Sequence, residues 1–251
     1  MDTCFDALRL PPVVYIMRLS AQIPMTFFKL MASVSILLLA VSTGSADAAP
    51  ANPVYLYQEN TGKSVKNFKW HHLSTGQEEI ITLTEEDAVF ANHCDRAGRT
   101  HAWNFQQGQQ TAIRVVRDGN LLKISGLLRG EEIQKDEKID DRPWYQPLSF
   151  SLRSFLDSPE TRISFWMIRS DNLQVVVMQA KKEGIEEITV AGKTVRAQKV
   201  ILSREGLFAA FWQSVFWFRE EDRIFVRYQG VHGPPGTSET TVQLLTSIRK
   251  G

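Results

Sequence analysis

The sequence predicts an all-β fold: a curved antiparallel sheet or half-barrel meander, with one amphipathic helix packed on its concave side. The first indication is the run from Gly192 to Leu245, where turn-forming residues separate four β-rich stretches. The second is the Trp and Phe content of that run, which exceeds what a two-stranded ribbon could bury. The third is a single helical pattern, from Leu148 to Leu156, in a chain that otherwise shows short strand patterns. Because helices do not alternate with strands, a parallel α/β sheet is disfavoured.

The strand pattern is clearest between Arg223 and Gln229, where side chains alternate with a period of two. One predicted face carries Ile224, Val226 and Tyr228, and the other carries Phe225, Arg227 and Gln229. Turns are predicted on either side, at Glu220–Asp222 and at the Gly-Pro-Pro-Gly segment that begins at Gly233. This block is therefore expected to form part of an antiparallel sheet around an apolar interior.

Residues 1–48 are interpreted as an N-terminal extension and a signal peptide. The apolar run from Leu30 to Val41 follows Lys29, and the small residues that end at Ala46-Asp47-Ala48 supply a cleavage site. The run is shorter than the roughly 20 apolar residues of a membrane span. Cleavage near Ala48 is therefore favoured over an uncleaved anchor. Residues 49–251 are then expected to form a single β-rich domain, periplasmic or secreted, without a membrane span.

Along this domain, turn chemistry separates nine further predicted strands. They are Val54–Tyr57, Val65–Leu73, Glu79–Thr84, Ala88–Cys94, His101–Phe105, Thr111–Val116, Leu121–Ser125, Arg162–Arg169 and Leu173–Ala180. A turn is predicted at Glu183-Gly184, and Glu131 to Asp141 is interpreted as a charged, solvated segment.

The helix is predicted because its apolar residues share one helical face, at Leu148, Leu152, Phe155 and Leu156. Proline stands just before it, at position 147, and just after it, at position 159, as expected at helix boundaries. The helix is expected to lie across the concave face or to plug an open end of the sheet, where it either completes the core or gates a ligand.

Charge and cysteine content exclude several classes of function. Lys and Arg number 29 and Asp and Glu number 28, so no basic excess indicates a nucleic-acid partner. Cys94 is the one cysteine that remains after the predicted cleavage, so no internal disulfide is expected. A dinucleotide fingerprint, a P-loop, a nucleophile elbow and an H-E-x-x-H pair are all absent from the sequence. No cofactor is therefore predicted.

The main local cluster of candidate metal-binding or catalytic residues lies around a predicted hairpin centred on Ala97. In that hairpin His93 would lie opposite His101, and Cys94 would point to the other face. A zinc site needs three or four ligands, and no third is evident nearby. Elsewhere, carboxylate pairs such as Glu78-Glu79 lie next to turn signals and are interpreted as solvated, so they indicate no acid–base pair. A polar hairpin end without a metal is therefore favoured, and a hydrolase that uses these histidines remains an alternative.

The aromatic residues are the second candidate feature. A cavity for an apolar ligand is predicted to be lined by Trp103, Trp144, Phe155, Trp166, Trp212 and Trp217. The alternative is that these side chains fill the interior, as side chains do in small barrels.

The order of these features resembles that of a known group of proteins. The resemblance rests on Asp141-Arg-Pro-Trp-Tyr-Gln146, the helix, Phe165-Trp166, Gly192-Lys193, Ala197-Gln-Lys-Val200, Phe211-Trp212, Trp217-Phe218 and Gly233-Pro-Pro-Gly236. It is a resemblance to exported bacterial proteins of unknown function whose half-barrel is similar to that of periplasmic lipoprotein carriers. The resemblance implies an incomplete antiparallel barrel with a helix over its mouth and an apolar ligand inside.

Three functions follow from these observations. The leading one is an exported, non-catalytic envelope protein that binds or carries an apolar, lipid-like ligand or a lipoprotein segment. The first alternative is a periplasmic interaction or assembly protein that recruits another envelope protein through a sheet edge. The second alternative is the hydrolase with a His-containing site.

Overall fold

The computed structural model describes residues 52–206, 213–231 and 238–250, which contain fourteen strands and one helix. The first eight strands are β1 (Asn52–Thr61), β2 (Ser64–Ser74), β3 (Glu79–Glu85), β4 (Ala88–Cys94), β5 (Thr100–Gln107), β6 (Thr111–Asp118), β7 (Leu121–Leu128) and β8 (Glu131–Lys138). Helix α1 (Leu148–Asp157) follows them. The remaining strands are β9 (Arg162–Ile168), β10 (Val175–Val190), β11 (Lys193–Arg204), β12 (Gln213–Arg219), β13 (Phe225–Val231) and β14 (Glu239–Lys250).

All fourteen strands belong to one antiparallel sheet, in which each strand pairs with its neighbours in sequence. The exception is the pairing of β1 with β14, which joins the meander β1–β8 to the meander β9–β14. Strands β8 and β9 form the two edges, so the sheet is curved but not closed. The predicted all-β half-barrel with one helix is confirmed.

The four strands predicted between Gly192 and Leu245 are confirmed as β11 to β14, but their predicted faces need one correction. Trp217 pairs with Arg227, whereas Phe218 pairs with Phe225, so Val226 is the extra residue of a β-bulge. The bulge turns Phe225 to the concave face, where its ring lies 5.4 Å from that of Tyr57. The prediction that Phe225 and Tyr228 lie on opposite faces is therefore wrong.

Two segments differ from a simple strand-and-turn interpretation of the sequence. The charged segment from Glu131 is exposed, as expected, but it also forms strand β8, which tolerates its charges because an edge strand is open to water on one side. The turn predicted at Glu183-Gly184 is wrong: it is a bulge inside the long strand β10, since Lys182 pairs with Val200 and Ile185 with Gln198.

The predicted helix is confirmed, and it packs against the concave face. Its buried apolar side chains share one hydrophobic cluster with Tyr55, Tyr57 and Trp70 of the sheet. Two serine hydroxyls of the helix form hydrogen bonds to the β4–β5 turn. Ser151 Oγ donates to the Gly98 carbonyl at 2.6 Å, and Ser154 Oγ donates to the Ala97 carbonyl at 2.9 Å. The approach is so close that a Cβ on Gly98 would lie 2.7 Å from the Ser151 Cα.

The segment between β8 and α1 links distant parts of the sheet. Trp166 N of β9 donates to the Pro143 carbonyl at 2.8 Å, and Thr100 N of β5 donates to the Trp144 carbonyl at 2.8 Å. Part of the β9 edge is thereby covered. Within the described ranges, no helix is long and apolar enough to cross a membrane.

Candidate functional site

The concave face contains a cleft of about 380 Å³. The inner faces of β1 to β5 form one side of the cleft, β12 to β14 form another, and the start of α1 contributes a wall. Aromatic side chains dominate the lining, among them Tyr57, Phe68, Phe90, Trp103, Phe216 and Tyr228. The apolar character of the cleft is therefore built from both halves of the chain.

Strand register explains why these rings face the same space. Tyr57 pairs with Phe68 across β1 and β2, and their rings stack at 5.3 Å. Phe216 pairs with Tyr228 across β12 and β13, with their rings 5.0 Å apart. Because β1 pairs with β14, the two groups of aromatic residues lie on one continuous inner face.

The cleft lies where two separate hydrophobic clusters meet. Tyr57 and Phe216 belong to the larger cluster, which includes the helix, whereas Trp103 belongs to the smaller one around β5 to β7. Members of both clusters line the cleft. Part of the concave face is therefore left unfilled between two packed regions.

The helical wall is held in place by Gln146, which precedes α1. Its Nε2 donates to the Ile168 carbonyl at 2.8 Å, and its Oε1 accepts from Ile168 N at 3.1 Å. The same Oε1 accepts from Trp144 Nε1 at 3.1 Å. These bonds position Pro147 and Leu148, which line the cleft.

One wall residue has an unsatisfied acceptor. Asn92 is 5% exposed, and its Nδ2 donates to the Ile81 carbonyl at 3.3 Å. Its Oδ1 is buried and has no hydrogen-bond partner among the described residues. A buried polar atom without a partner costs about 1–3 kcal/mol, so Asn92 Oδ1 is suited to accept a hydrogen bond from a bound molecule.

A cation lies beside the same wall. The Arg153 guanidinium of α1 stacks on Trp70 and Phe150, with its Cζ 5.4 and 5.3 Å from the two ring centres. Its Nε and Nη2 are buried, and neither has a hydrogen-bond partner in the described part of the chain. Burial raises the pKa of the neighbouring Tyr57 hydroxyl, an effect that the Arg153 charge opposes. Within the described residues this guanidinium forms no ion pair, although its charge helps to lower the pKa of Asp222, and it lies beside Trp70 of the cleft.

The structure locates five of the six aromatic residues predicted to line a cavity. Trp103 lines the cleft. Trp144 is fully buried and Trp166 packs against the same small cluster, where the two form a bridge between the 143–146 segment and β9. Phe155 and Trp217 belong to the larger cluster. Trp212 lies outside the described residues.

Sequence reasoning missed most of the lining, including Tyr57, Phe68 and Phe90. A usable signal was present, since Tyr55-Leu-Tyr57 and Phe68-Lys-Trp70 place aromatic residues two positions apart on single strand faces. It could not show which strands lie side by side across the cleft.

The predicted hairpin around Ala97 is present, with a different register. His93 pairs with Ala102 and Cys94 with Thr100, so His101 is the extra residue of a bulge and does not lie directly opposite His93. The two imidazole rings are still only 6.2 Å apart, and both point to Glu78. His93 Nδ1 lies 3.1 Å and His101 Nε2 2.7 Å from the same carboxylate oxygen, Glu78 Oε1.

The two adjacent glutamates behave differently from the solvated pair that the sequence indicated. Glu79 is only 8% exposed and bonds His72 Nε2 at 2.7 Å and Ser74 Oγ at 2.9 Å. Burial acts to raise the pKa of Glu78, but the hydrogen bonds from His101 and His93 outweigh it and hold that pKa below its usual value. The interpretation of Glu79 as a solvated residue is wrong.

Cys94 is buried and lies on the opposite face of β4 from the partly exposed His93, as predicted. Its Sγ lies 3.7 Å from Thr100 Oγ1. Burial raises the pKa of the thiol to about 12, and the thiolate is the reactive form.

We therefore expect a chain that begins at Ala49 to show no reaction with a thiol reagent when native and one reactive thiol after denaturation. Gel migration should be identical with and without reductant. A reductant-sensitive dimer would contradict this expectation.

Comparison with known proteins supports the fold. No family model matches the chain, and no curated protein matches it in sequence. A beta-barrel-like protein of domain of unknown function DUF1849 from Brucella abortus has a similar structure, with a TM-score of 0.55 and 9% identity over 80% of this chain and 98% of the other. The hypothetical lipoprotein YmcC from Escherichia coli matches with a TM-score of 0.40 and 10% identity, over 81% of this chain and 90% of the other. A putative outer membrane lipoprotein-sorting protein domain from Vibrio parahaemolyticus matches with a TM-score of 0.30 and 8% identity, over 79% and 85%. The half-barrel implied by the sequence resemblance is thus confirmed at the level of the fold, by the Brucella protein.

Proposed function

We propose that this protein is an exported envelope protein that binds or carries an apolar, lipid-like molecule in the concave cleft without chemically changing it. The observation that carries the proposal is the aromatic-lined cleft of about 380 Å³ between two packed clusters. Ligand pockets in proteins measure roughly 300–1,000 Å³ and combine apolar walls with a few polar groups. The cleft has that size and that composition.

The polar groups near the cleft define the class of ligand. The Arg153 guanidinium favours an acidic headgroup, because charge-assisted bonds from arginine to carboxylate or phosphate are stronger than neutral ones. Asn92 Oδ1 favours a hydroxyl or an N–H group on the same molecule. The ligand is therefore an amphipathic molecule with a chain-like apolar part and a small, anionic polar end.

The site of action in this proposal is the bacterial envelope, outside the cytoplasm. Support comes from the apolar run between Leu30 and Val41 and the small residues up to Ala48, which lie outside the described residues.

A role in assembly through a sheet edge has weaker support. Edge strand β8 carries charges along most of its length, including Glu131, Lys135 and Glu137, and such charges oppose pairing with another strand. The β9 edge is partly occupied by the 143–146 segment.

The proposal is tested by filling the cleft. Leu83 of β3 lines the cleft, whereas Leu73 of β2 is 42% exposed. Leu83→Trp should weaken binding of a fluorescent fatty-acid probe at least tenfold, a change of about 1.4 kcal/mol in binding free energy, because the added ring occupies the ligand volume. Leu73→Trp, the matched control, should bind the probe as the parent does.

The headgroup is tested separately. Arg153→Gln should weaken a probe with a free carboxylate more than the corresponding methyl ester, since only the acid can pair with the guanidinium. Native mass spectrometry of the parent should detect an apolar molecule or the added probe. If the parent binds no probe, or Leu83→Trp binds it unchanged, the cleft is not the binding site and the carrier function is rejected.

A further inference from the structure

Three side chains with metal-ligating atoms converge on the outer surface, away from the cleft. They are Glu78, His93 and His101, whose ligand atoms all lie within 4.8 Å of one another. His93 faces outward because its neighbours Asn92 and Cys94 are buried. The side chains of Glu78, His93 and His101 are 31, 29 and 50% exposed, so the cluster is open to solvent on one side.

The three residues come from different elements that hydrogen bonds hold together. Glu78 ends the β2–β3 turn, where its backbone N donates to Thr75 Oγ1 at 3.1 Å and its carbonyl accepts from Thr75 N at 2.9 Å. Arg96 of the β4–β5 turn donates to the Gly76 carbonyl and so ties the two turns to each other. Such positioning places the ligands before an ion arrives, which lowers the cost of ordering them on binding.

The donor set is that of a metal centre with an open position. Two imidazoles and one carboxylate hold zinc in catalytic centres, with Zn–N of about 2.0–2.1 Å and Zn–O of about 2.0–2.2 Å. Those bond lengths place tetrahedral ligand atoms about 3.3 Å apart. His93 Nδ1 and His101 Nε2 lie 3.1 and 2.7 Å from Glu78 Oε1, and all three atoms lie within 4.8 Å of one another, so adjustment of these side chains would bring them to that spacing.

We propose that Glu78 Oε1, His93 Nδ1 and His101 Nε2 bind one divalent transition-metal ion of the zinc type, with the remaining coordination position open to solvent. On binding, any proton on the coordinating nitrogen of each imidazole moves to the other nitrogen of the same ring or is released to solvent, and the ion takes its place between the imidazoles and the carboxylate. The ion ties the β2–β3 turn to the β4–β5 hairpin, and the tip of that hairpin holds helix α1 through Ser151 and Ser154. The site is separate from the cleft, and the proposal does not depend on the proposed function.

The test uses tag-free protein that has been dialysed against a chelator, since a polyhistidine tag would bind metal itself. Calorimetric titration with zinc should give one site per chain, and the melting temperature should rise with zinc, because an ion that binds only the folded state stabilises it. His93→Asn, His101→Asn and Glu78→Gln should each abolish or strongly weaken both effects. His71→Asn is the matched control, since His71 contributes no atom to the cluster, and it should behave as the parent does.

Two further measurements keep the outcome decisive. Circular dichroism shows whether each variant is folded. If a variant is not, histidine-labelled NMR spectra of the parent serve in its place, and zinc should shift the ring signals of His93 and His101. Failure of the parent to bind zinc, unchanged binding by the folded His93→Asn/His101→Asn double variant, or ring shifts at other histidines alone would overturn the proposal.

Discussion

Phe155→Ala is expected to lower the free energy of unfolding by about 3–5 kcal/mol, the cost of truncating a fully packed phenylalanine. Phe155 is 3% exposed and belongs to the cluster that α1 forms with β1, β2 and the C-terminal strands. The Lys182 Nζ atom lies 4.7 Å from the centre of its ring, and this cation–π contact is lost as well. A helix that merely covered a cavity would lose less. Urea denaturation, followed by circular dichroism, measures the difference.

Leu148→Ala is the control for position along the helix. Leu148 is only partly buried and lines the cleft, so its truncation should cost less than the roughly 2 kcal/mol at the lower end for a buried leucine. It should, however, change the affinity for the fatty-acid probe, which a folded Phe155→Ala protein should retain. Equal losses of stability in the two variants would contradict the division of α1 into a cleft-lining start and a packed remainder.

Gly126→Ala is expected to be comparably damaging, at about 2–6 kcal/mol, because two separate costs add. Gly126 lies in β7 with φ of +128°, a conformation that costs other residues about 1–3 kcal/mol. A Cβ there would also collide with the Ala112 carbonyl oxygen of β6 and lie 3.1 Å from the Ile113 Cα. Overpacking of this kind costs about 1–3 kcal/mol. The backbone of a paired strand cannot move aside without breaking the ladder.

Gly130→Ala separates the two costs. Gly130 has φ of +85°, and a Cβ there would meet nothing within 4 Å. This variant should therefore lose only the backbone contribution, about 1–3 kcal/mol. The comparison uses the midpoint and slope of urea denaturation for both variants. If Gly126→Ala proves no more destabilising than Gly130→Ala, the close approach of β6 to β7 adds no steric cost to the substitution, and the prediction is wrong.

The sequence by itself determined the local elements of this protein. The period-two pattern and the turn residues predicted the strands that became β11 to β14, and the run Ala88–Cys94 matches β4 at both ends. The helix from Leu148 was predicted because its apolar residues share a face and prolines flank it. These features depend on neighbours within a few residues, so they are readable without knowledge of the fold.

Only the tertiary structure decided which of these elements meet. The pairing of β1 with β14 brings Tyr57 to Phe225, where its hydroxyl donates to the Phe225 carbonyl at 2.9 Å across 168 residues of sequence. A strand that alternates with a period of two has the same pattern whatever its partner, so the pattern cannot specify this contact. The cleft therefore could not be predicted beyond Trp103, since its other aromatic residues come from strands that are distant in sequence.

Bulges were the other feature that the sequence did not reveal. One extra residue turns Phe225 into the cleft, and another places His101 beside Glu78 rather than opposite His93. Glu78 shows why a third candidate ligand was not evident: in the sequence it is one of two acids beside a turn, where charges are usually solvated. Its meeting with His93 and His101 depends on how β3 pairs with β4 and β4 with β5. The residue types were visible in the chain, but their convergence was set by strand register, which long-range packing determines.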